Sequence, residues 1–316
     1  MAGQGNYYNG ALLLNKPVGL SSHEAVVNIR RTTGQRRVGH TGTLDPLAEG
    51  LMVICLGKAT KIAQFISAFN KTYEAEICFG QSSATFDSEG IYNDELTIPV
   101  PDLKEDKLDQ LLSKYKGITT QKVPAYSAVK IGGQRLYRLA RSGVIVDTPE
   151  REIEILEIKV LSYYKPFLSI RITCSPGTYI RSLANDLGEG LGCGAYLSGL
   201  RRIAVGDLCI EQALELDDIK RYHETGALDE HLLRYEDVIP FSAVTISDNF
   251  IEGVLSGKML TSHNVVKLQG SFSSGERILL KDSNGHVLAI GTADVPSDMF
   301  TNGRGQKLFT YIRVLN

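Results

Sequence analysis

The chain contains no tryptophan, only four methionines and only ten prolines in 316 residues. Its five cysteines (Cys55, Cys78, Cys174, Cys193 and Cys209) are odd in number and never form a Cys-x-x-Cys pair. Such a set excludes a disulfide framework and a cysteine zinc site, and it suits a reducing cytoplasm. Most of these cysteines sit in apolar runs, where the residue behaves as a small core side chain. The six histidines are scattered without helical metal-ligand spacing, so no metal is expected. No apolar run approaches the length of a membrane span, and the polar, glycine-rich start Met1–Gly10 lacks the regions of a signal peptide. A membrane partner is therefore not expected, and the location expected is the cytoplasm.

An excess of charge of one sign is also missing: the formal net charge is −2, with 22% charged residues. Charge is instead segregated. Between Leu111 and Val146 stand Lys114, Lys116, Lys122, Lys130, Arg135, Arg138 and Arg141, with no Asp or Glu among them. Arg30, Arg31, Arg36, Arg37, Lys58 and Lys61 form a second basic set, while acid collects in Asp87–Asp109 and Glu211–Asp237. Local basic stretches on a nearly neutral chain point to a polyanion site; solvated helix faces are the plainer reading.

What the chain has is a stretch rich in glycine and small hydroxyl residues. It runs Gly39-His40-Thr41-Gly42-Thr43-Leu44-Asp45-Pro46-Leu47-Ala48-Glu49-Gly50, and the apolar run Leu51–Leu56 follows directly. Its glycines let the backbone approach a ligand, Gly42 among them. Pro46 biases Asp45 away from helix. A carboxylate held in a loop before a buried strand is well placed for chemistry. Asp45 as a turn residue bonding its own backbone is the competing reading, and these residues alone leave both open.

Periodicity predicts strands over Ala11–Leu14, Leu51–Leu56, Thr72–Phe79, Glu152–Tyr163 and Phe167–Cys174. Helices are expected from Ser21 or Ser22 to about Thr32, over Lys58–Ala68, over Leu103–Tyr115, and from Tyr179 to about Glu189 under a Ser175–Thr178 cap. Glu211–Asp237 also reads as helical. Gln121–Gly143 reads as a strand, a Gly132-Gly133 turn and a short helix projecting from the body. On that helix Arg135, Arg138 and Arg141 would share a face. Without a regular βαβ rhythm, this pattern gives an α+β fold with a mixed or antiparallel central sheet and flanking helices. After Pro240 short β-rich runs alternate with turns, and Asn284-Gly285 between apolar runs predicts a hairpin. The expected division is 1–240 and 241–316, the second unit being small and barrel-like.

Several chemistries fail on spacing. Gly50–Thr60 is not a phosphate loop, because six residues rather than four separate its glycines and Ala59 follows Lys58. There is no Gly-x-Ser-x-Gly elbow and no dinucleotide Gly-x-Gly-x-x-Gly. What remains is a loop aspartate that can act as nucleophile or base, basic residues and several tyrosines. Arg181, opening a helix after a Pro-Gly turn, is placed to hold that aspartate ionised.

These residues resemble the TruB family of pseudouridine synthases. Arg37–Gly50 is similar to that family's signature loop. The match continues through Lys16-Pro17-x-Gly19-x-Ser21, Lys71-Thr72-Tyr73-Glu74-Ala75, Tyr126-Ser127-Ala128-Val129-Lys130, Arg135-Leu136-Tyr137, Gly177–Leu183 and Gly194–Arg202, in family order. The C-terminal unit more loosely resembles a PUA-type RNA-binding module. Val123 and Gln81-Ser82-Ser83 depart from the pattern.

The resemblance implies an isomerase that converts a uridine in the T-loop of tRNA to pseudouridine, without cofactor or metal and without an obligatory protein partner. It implies that Asp45 is catalytic, that Tyr73 stacks on the target base and helps remove the C5 proton, and that Arg181 pairs with Asp45. Tyr179 and Leu200 would line the pocket, and His40 would lie near the everted base. Lys16 and Gly42 would also belong to the substrate site. The 121–146 stretch, with Lys130, Arg135, Arg138 and Arg141, would clamp the RNA. Attack of Asp45 on C1′, its attack on C6, and proton abstraction from C2′ all remain open. A guide-RNA-dependent synthase and a non-catalytic tRNA-folding protein are the alternatives. The insertion argues against the first, and Asp45, Tyr73 and Arg181 together argue against the second.

Overall fold

The run Leu51–Leu56 lies inside the larger sheet, and its lack of alternation has a structural cause. In the computed structural model, which describes residues 7–91, 97–127, 129–142, 144, 147–302 and 306–315, every side chain of this run is buried. Leu51, Val53 and Cys55 enter one apolar cluster, and Met52, Ile54 and Leu56 enter another on the opposite face. A strand covered on both faces reads as a continuous apolar run. Each large side chain so buried contributes about 1.5–3 kcal/mol. Residues 1–6 of the polar start, residues 92–96 of the acidic stretch, and Ala128, Gly143, Ile145 and Val146 of the basic stretch lie outside the described residues.

The chain begins with β1 (Gly10–Lys16) and α1 (Ser22–Thr33). Ser21 and Glu24 cap α1 reciprocally, and Ala25, Val26 and Ile29 are its buried face. Then come β2 (Val38–His40), β3 (Ala48–Leu56), α2 (Ala63–Ser67) and β4 (Lys71–Phe79). After α3 (Glu105–Ser113) and β5 (Gly117–Lys122) a small hairpin, β6 (Lys130–Ile131) with β7 (Gln134–Arg135), leads into α4 (Leu136–Arg141). β8 (Glu150–Tyr164), β9 (Phe167–Cys174), α5 (Ile180–Leu191), β10 (Ala195–Val205), β11 (Leu208–Cys209) and α6 (Leu216–Thr225) follow.

Among the described residues β1–β5 and β8–β11 form one nine-stranded sheet, ordered β1-β3-β10-β4-β9-β8-β5 with β2 and β11 at its flanks. Its pairings are antiparallel except β3 with β10. On β4, Tyr73, Ala75 and Ile77 point into a core while Glu74 and Glu76 point out, as the alternation predicts. α5 covers that face with Ile180, Leu183, Ala184 and Leu187. The α+β class with a mixed sheet is thus as expected.

Three local expectations are corrected. Lys58–Ala68 is a 3-10 turn over Gly57–Lys61 followed by the short α2, because the chain enters through Gly57 at φ 59°, pressed against Tyr8 and Asn9. Glu211–Asp237 is several short helical pieces; Gly226, left-handed at φ 77°, ends α6. Arg135 belongs to β7, not to α4, so only Arg138 and Arg141 share the helix.

The remaining strands, β12 (Ala243–Ile246), β13 (Val265–Gln269), β14 (Arg277–Lys281), β15 (Val287–Ala293) and β16 (Phe309–Val314), form a second mixed sheet ordered β13-β12-β14-β15-β16. β14 and β15 are the predicted hairpin, with Gly285 at φ 87° in its turn. This sheet does not stand apart. Val238, Ile239, Leu279, Ile290 and Leu315 share a cluster with Leu51, Val53 and Cys55 of β3.

One glycine shows how tightly the centre is built. Gly50 sits at φ 101°, and a Cβ there would lie 2.4 Å from the Arg202 carbonyl oxygen on β10. Gly50→Ala is expected to destabilise the protein by about 2–5 kcal/mol, combining left-handed strain with overpacking. Gly226→Ala, also left-handed but facing open space, should cost only about 1–2 kcal/mol. Urea unfolding of both variants checks the contrast; equal losses would remove the close approach of β3 and β10 as its cause.

Candidate active site

The loop between β2 and β3 is held from outside itself. Ser22, the first residue of α1, accepts from the Leu44 amide and donates to the Leu44 carbonyl, both at 2.8 Å. The Gly19 amide donates to the Pro46 carbonyl at 2.8 Å, and the Thr41 amide to the Val53 carbonyl at 3.1 Å. Leu44 is buried as an anchor, which leaves the neighbouring Asp45 turned toward a cavity with 37% of its side chain accessible.

That cavity has a volume of about 460 Å³. Gly42 and Asp45 from the loop, Tyr73 from β4, Tyr179 and Arg181 from the start of α5, and Leu200 from β10 line it together. Six predicted site residues from four separate elements thus meet in one place. Arg181 Nη2 lies 3.3 Å from Asp45 Oδ2. The start of α5 is fixed by an unforeseen partner. The Gln121 side chain on β5 accepts from the Tyr179 amide at 2.8 Å and donates to its carbonyl at 2.9 Å, where a Ser175–Thr178 cap was expected. The guanidinium of Arg181 and that of Arg151 each lie 5.8 Å from the centre of the Tyr179 ring.

Arg181 has two further partners. Its Nη1 lies 3.3 Å from Oδ2 of Asp87, a carboxylate whose side chain is 2% exposed. Its Nη2 donates at 2.7 Å to the carbonyl of Tyr126, in the basic insertion. Asp87 itself accepts from Thr85 Oγ1 and from the Glu89 amide. In the sequence Asp87 stands only at the start of an acidic stretch; no local signal links it to an arginine 94 positions away.

Loss of hydration pushes the Asp45 carboxyl above its ordinary pKa, with Asp87 adding to the rise while Arg181 and Lys16 oppose it. Loss of hydration likewise raises the Tyr73 phenol, against an opposing pull from Arg202.

Other predicted residues lie elsewhere. Lys16 is fully buried behind the loop and gives its ammonium to the carbonyls of Pro17 and Leu20 at 2.8 and 2.7 Å. Burial and Arg202 lower its pKa to about 8. His40 is half-buried at the end of β2 and does not line the cavity; burial lowers its pKa. Lys130, Arg135, Arg138 and Arg141 are exposed on the β6–β7 hairpin and α4, whose neighbour Val129 reaches the cavity.

No helix among the described residues is long and apolar enough to cross a membrane. Residues 30–180 match the model of the TruB family pseudouridylate synthase N-terminal domain, and residues 181–239 that of the tRNA pseudouridylate synthase B C-terminal domain. Residues 242–315 match the PUA domain. A tRNA pseudouridine synthase B of Xylella fastidiosa is 38% identical over 299 residues, covering 92% of this chain and 96% of that protein. The protein of the same name from Bacillus subtilis is 38% identical over 289 residues, covering 89% and 92%. Among solved structures, a chain of an H/ACA RNP bound to a substrate RNA containing 2′-deoxyuridine superposes with a TM-score of 0.76. It is 24% identical, covers 97% of this chain and 85% of its own, and shows the likeness of fold. With the loop, the cavity and these matches in hand, the chain belongs to the TruB family of pseudouridylate synthases.

Proposed function

We propose that the protein is a tRNA pseudouridine synthase that isomerises a uridine of the T-loop, position 55, acting alone on tRNA in the cytoplasm. The observation that carries this reading is the Asp45–Arg181 pair facing Tyr73 across a nucleotide-sized cavity. Isomerisation neither adds nor removes atoms, so the reading calls for no co-substrate.

A uridine in a folded loop must leave its stack before its C1′ and C5 can be reached, at a cost of a few kcal/mol. Stacking on an aromatic ring returns about 1–3 kcal/mol per base. Tyr73, in the cavity lining, serves as that platform and helps remove the C5 proton. Leu200 and Tyr179 close the sides and Gly42 lets the backbone approach, while His40, at the end of β2, stands outside the cavity lining. Arg181 keeps Asp45 ionised in a site whose poor hydration favours the neutral acid. Lys16 adds positive charge from the far side without direct contact. Asp45 then acts on the ribose. Residues 1–240 form the catalytic unit under this reading, and 241–316 an accessory RNA-binding unit.

The basic insertion grips the backbone of the RNA. Lys130, Arg135, Arg138 and Arg141 are exposed, with Arg138 and Arg141 each 6.0 Å from the Tyr137 ring. Removing one cation that neutralises a phosphate should flatten the slope of log affinity against log salt by about 0.7–0.9. The double variant Arg138→Ala/Arg141→Ala is expected to bind tRNA more weakly and with a shallower slope. Titrations at several salt concentrations check this, and an unchanged slope with unchanged affinity would mean the insertion does not hold RNA. The function itself is tested with purified protein and an unmodified tRNA transcript, no other protein added. Pseudouridine at one T-loop position is expected; its absence would overturn the reading.

A further inference from the structure

The cavity wall beside Tyr73 carries two buried cations that do not pair with Asp45 and to which the proposed function gives no role. Lys71, at the start of β4, is 6% exposed, and Arg202, on the neighbouring β10, is 2% exposed. Both line the cavity, and Arg202 is the register partner of Tyr73. Among the described residues neither forms an ion pair with a carboxylate, whereas Arg181 has two. Arg202 donates Nε to the Leu51 carbonyl at 2.7 Å and Nη2 to the Gly42 carbonyl at 3.1 Å. Lys71 donates to the carbonyls of Ser67 and Phe69. These bonds need donors, not charge.

Burying an ion costs several kcal/mol, and buried charges are ordinarily paired. Here two like charges share one wall. Burial and the repulsion from Arg202 lower Lys71 to about 8. Such a wall is complete only when an anion arrives in the cavity.

We propose that Lys71 and Arg202 stabilise the uracil ring as an anion while it is detached from the ribose. The inference rests on the pseudouridine synthase reading. When the C1′–N1 bond breaks, its electron pair stays on N1 and spreads to O2 and O4. The ribose makes up the lost pair in one of two ways. Either the Asp45 carboxylate bonds to C1′, or Asp45 takes the C2′ proton and that C–H pair forms the C1′–C2′ double bond. The anionic ring turns and C5 bonds to C1′, as the Asp45–C1′ ester bond breaks and frees the carboxylate in the first route, or as C2′ takes its proton back from Asp45 in the second. The C5 proton then leaves and a proton reaches N1. Fixed cations aimed at charge that exists only during the reaction lower its barrier without reorganisation.

Lys71→Gln keeps donors for the two carbonyls and removes the charge. It is expected to slow single-turnover conversion of uridine-containing tRNA by roughly 10²-fold. With 5-fluorouridine in the target position the ring departs more readily as an anion. The same variant should then slow loss of the starting nucleoside by only about a tenth of that factor. Lys71→Arg should convert uridine nearly as fast as the native protein. In the native protein free 5-nitrouracil, ionised at neutral pH, should inhibit more strongly than neutral uracil; this arm needs no variant to fold. Equal slowing on both tRNAs, a Lys71→Gln rate equal to the native one, or inhibition by uracil as strong as by 5-nitrouracil would each overturn the inference. Native protein that converts no uridine would instead overturn the function reading, and the inference with it.

Discussion

Asp45→Asn is expected to lower pseudouridine formation by at least about 10³-fold, within the range for loss of a positioned acid–base group, while tRNA affinity changes little. The substituted side chain has nearly the same shape, so the loop, held by Ser22 and Leu44, keeps its path. It supplies neither a nucleophile for C1′ nor a base for C2′. Arg181 loses one ionic partner but keeps Asp87 and the Tyr126 carbonyl, so the start of α5 stays in place. Binding depends on the insertion and on the rest of the cavity wall, which this near-isosteric change leaves in place. Release of tritium from C5-labelled uridine in tRNA measures turnover, and filter binding measures affinity. Substantial release by the purified variant would remove Asp45 from the chemistry; weakened binding alone would make it a structural residue of the loop.

The asymmetry between what the sequence reveals and what it hides has a physical basis. Asp45 is legible because the constraints on its loop are local: glycines, Pro46 and an apolar run stand within a dozen residues. β3 is legible because burial on both faces leaves a continuous apolar run. β4 shows itself through the alternation of Tyr73, Ala75 and Ile77 with Glu74 and Glu76. Asp87 is hidden because its second role arises only when α5 is packed beside its turn. Gln121 is hidden for the same reason: the amide it satisfies lies 58 residues away. A polar side chain that caps or pairs over long range has no periodicity of its own.

The helix boundaries fail for a different cause. Short segments such as Lys58–Ala68 carry too few residues for helix formation to be decided by propensity, so tertiary packing decides. Gly57, wedged against Tyr8 and Asn9, turns that segment into a tight turn while Ile62, Phe65 and Ile66 remain inward. The inward face is therefore readable where the helix type is not. Lys71 and Arg202 show the same split at the site. Each falls in a motif legible in the sequence, yet that both are buried without a carboxylate emerges only from the packing of β4 and β10.

Arg181→Met should have the second large effect, and its signature is in pH rather than in rate alone. Removing the guanidinium leaves Asp87, with 2% of its side chain exposed, as an unpaired buried carboxylate. Breaking a buried pair from one side costs about 3–5 kcal/mol, which urea unfolding at neutral pH should register. The catalytic consequence falls on Asp45. Its pKa is already raised above the ordinary 3.8 by loss of hydration and by Asp87, and Arg181 is the largest opposing influence. Without that opposition the folded-state value rises further. Under the proposed function the reaction needs the carboxylate, so its rate should climb as pH passes upward through that value, and the acid limb of the profile should move to higher pH in the variant. The stability sign agrees. Ionisation of a carboxyl whose folded pKa is raised weighs against the fold above that pKa, so the stability deficit should shrink as pH falls toward the limb. Arg181→Lys should restore part of the limb's position but not the full rate. A single ammonium cannot span Asp45, Asp87 and the Tyr126 carbonyl as the planar fork does. A pH–rate profile under single-turnover conditions decides the matter: an acid limb at the native position in Arg181→Met would show that the arginine does not set the ionisation of Asp45.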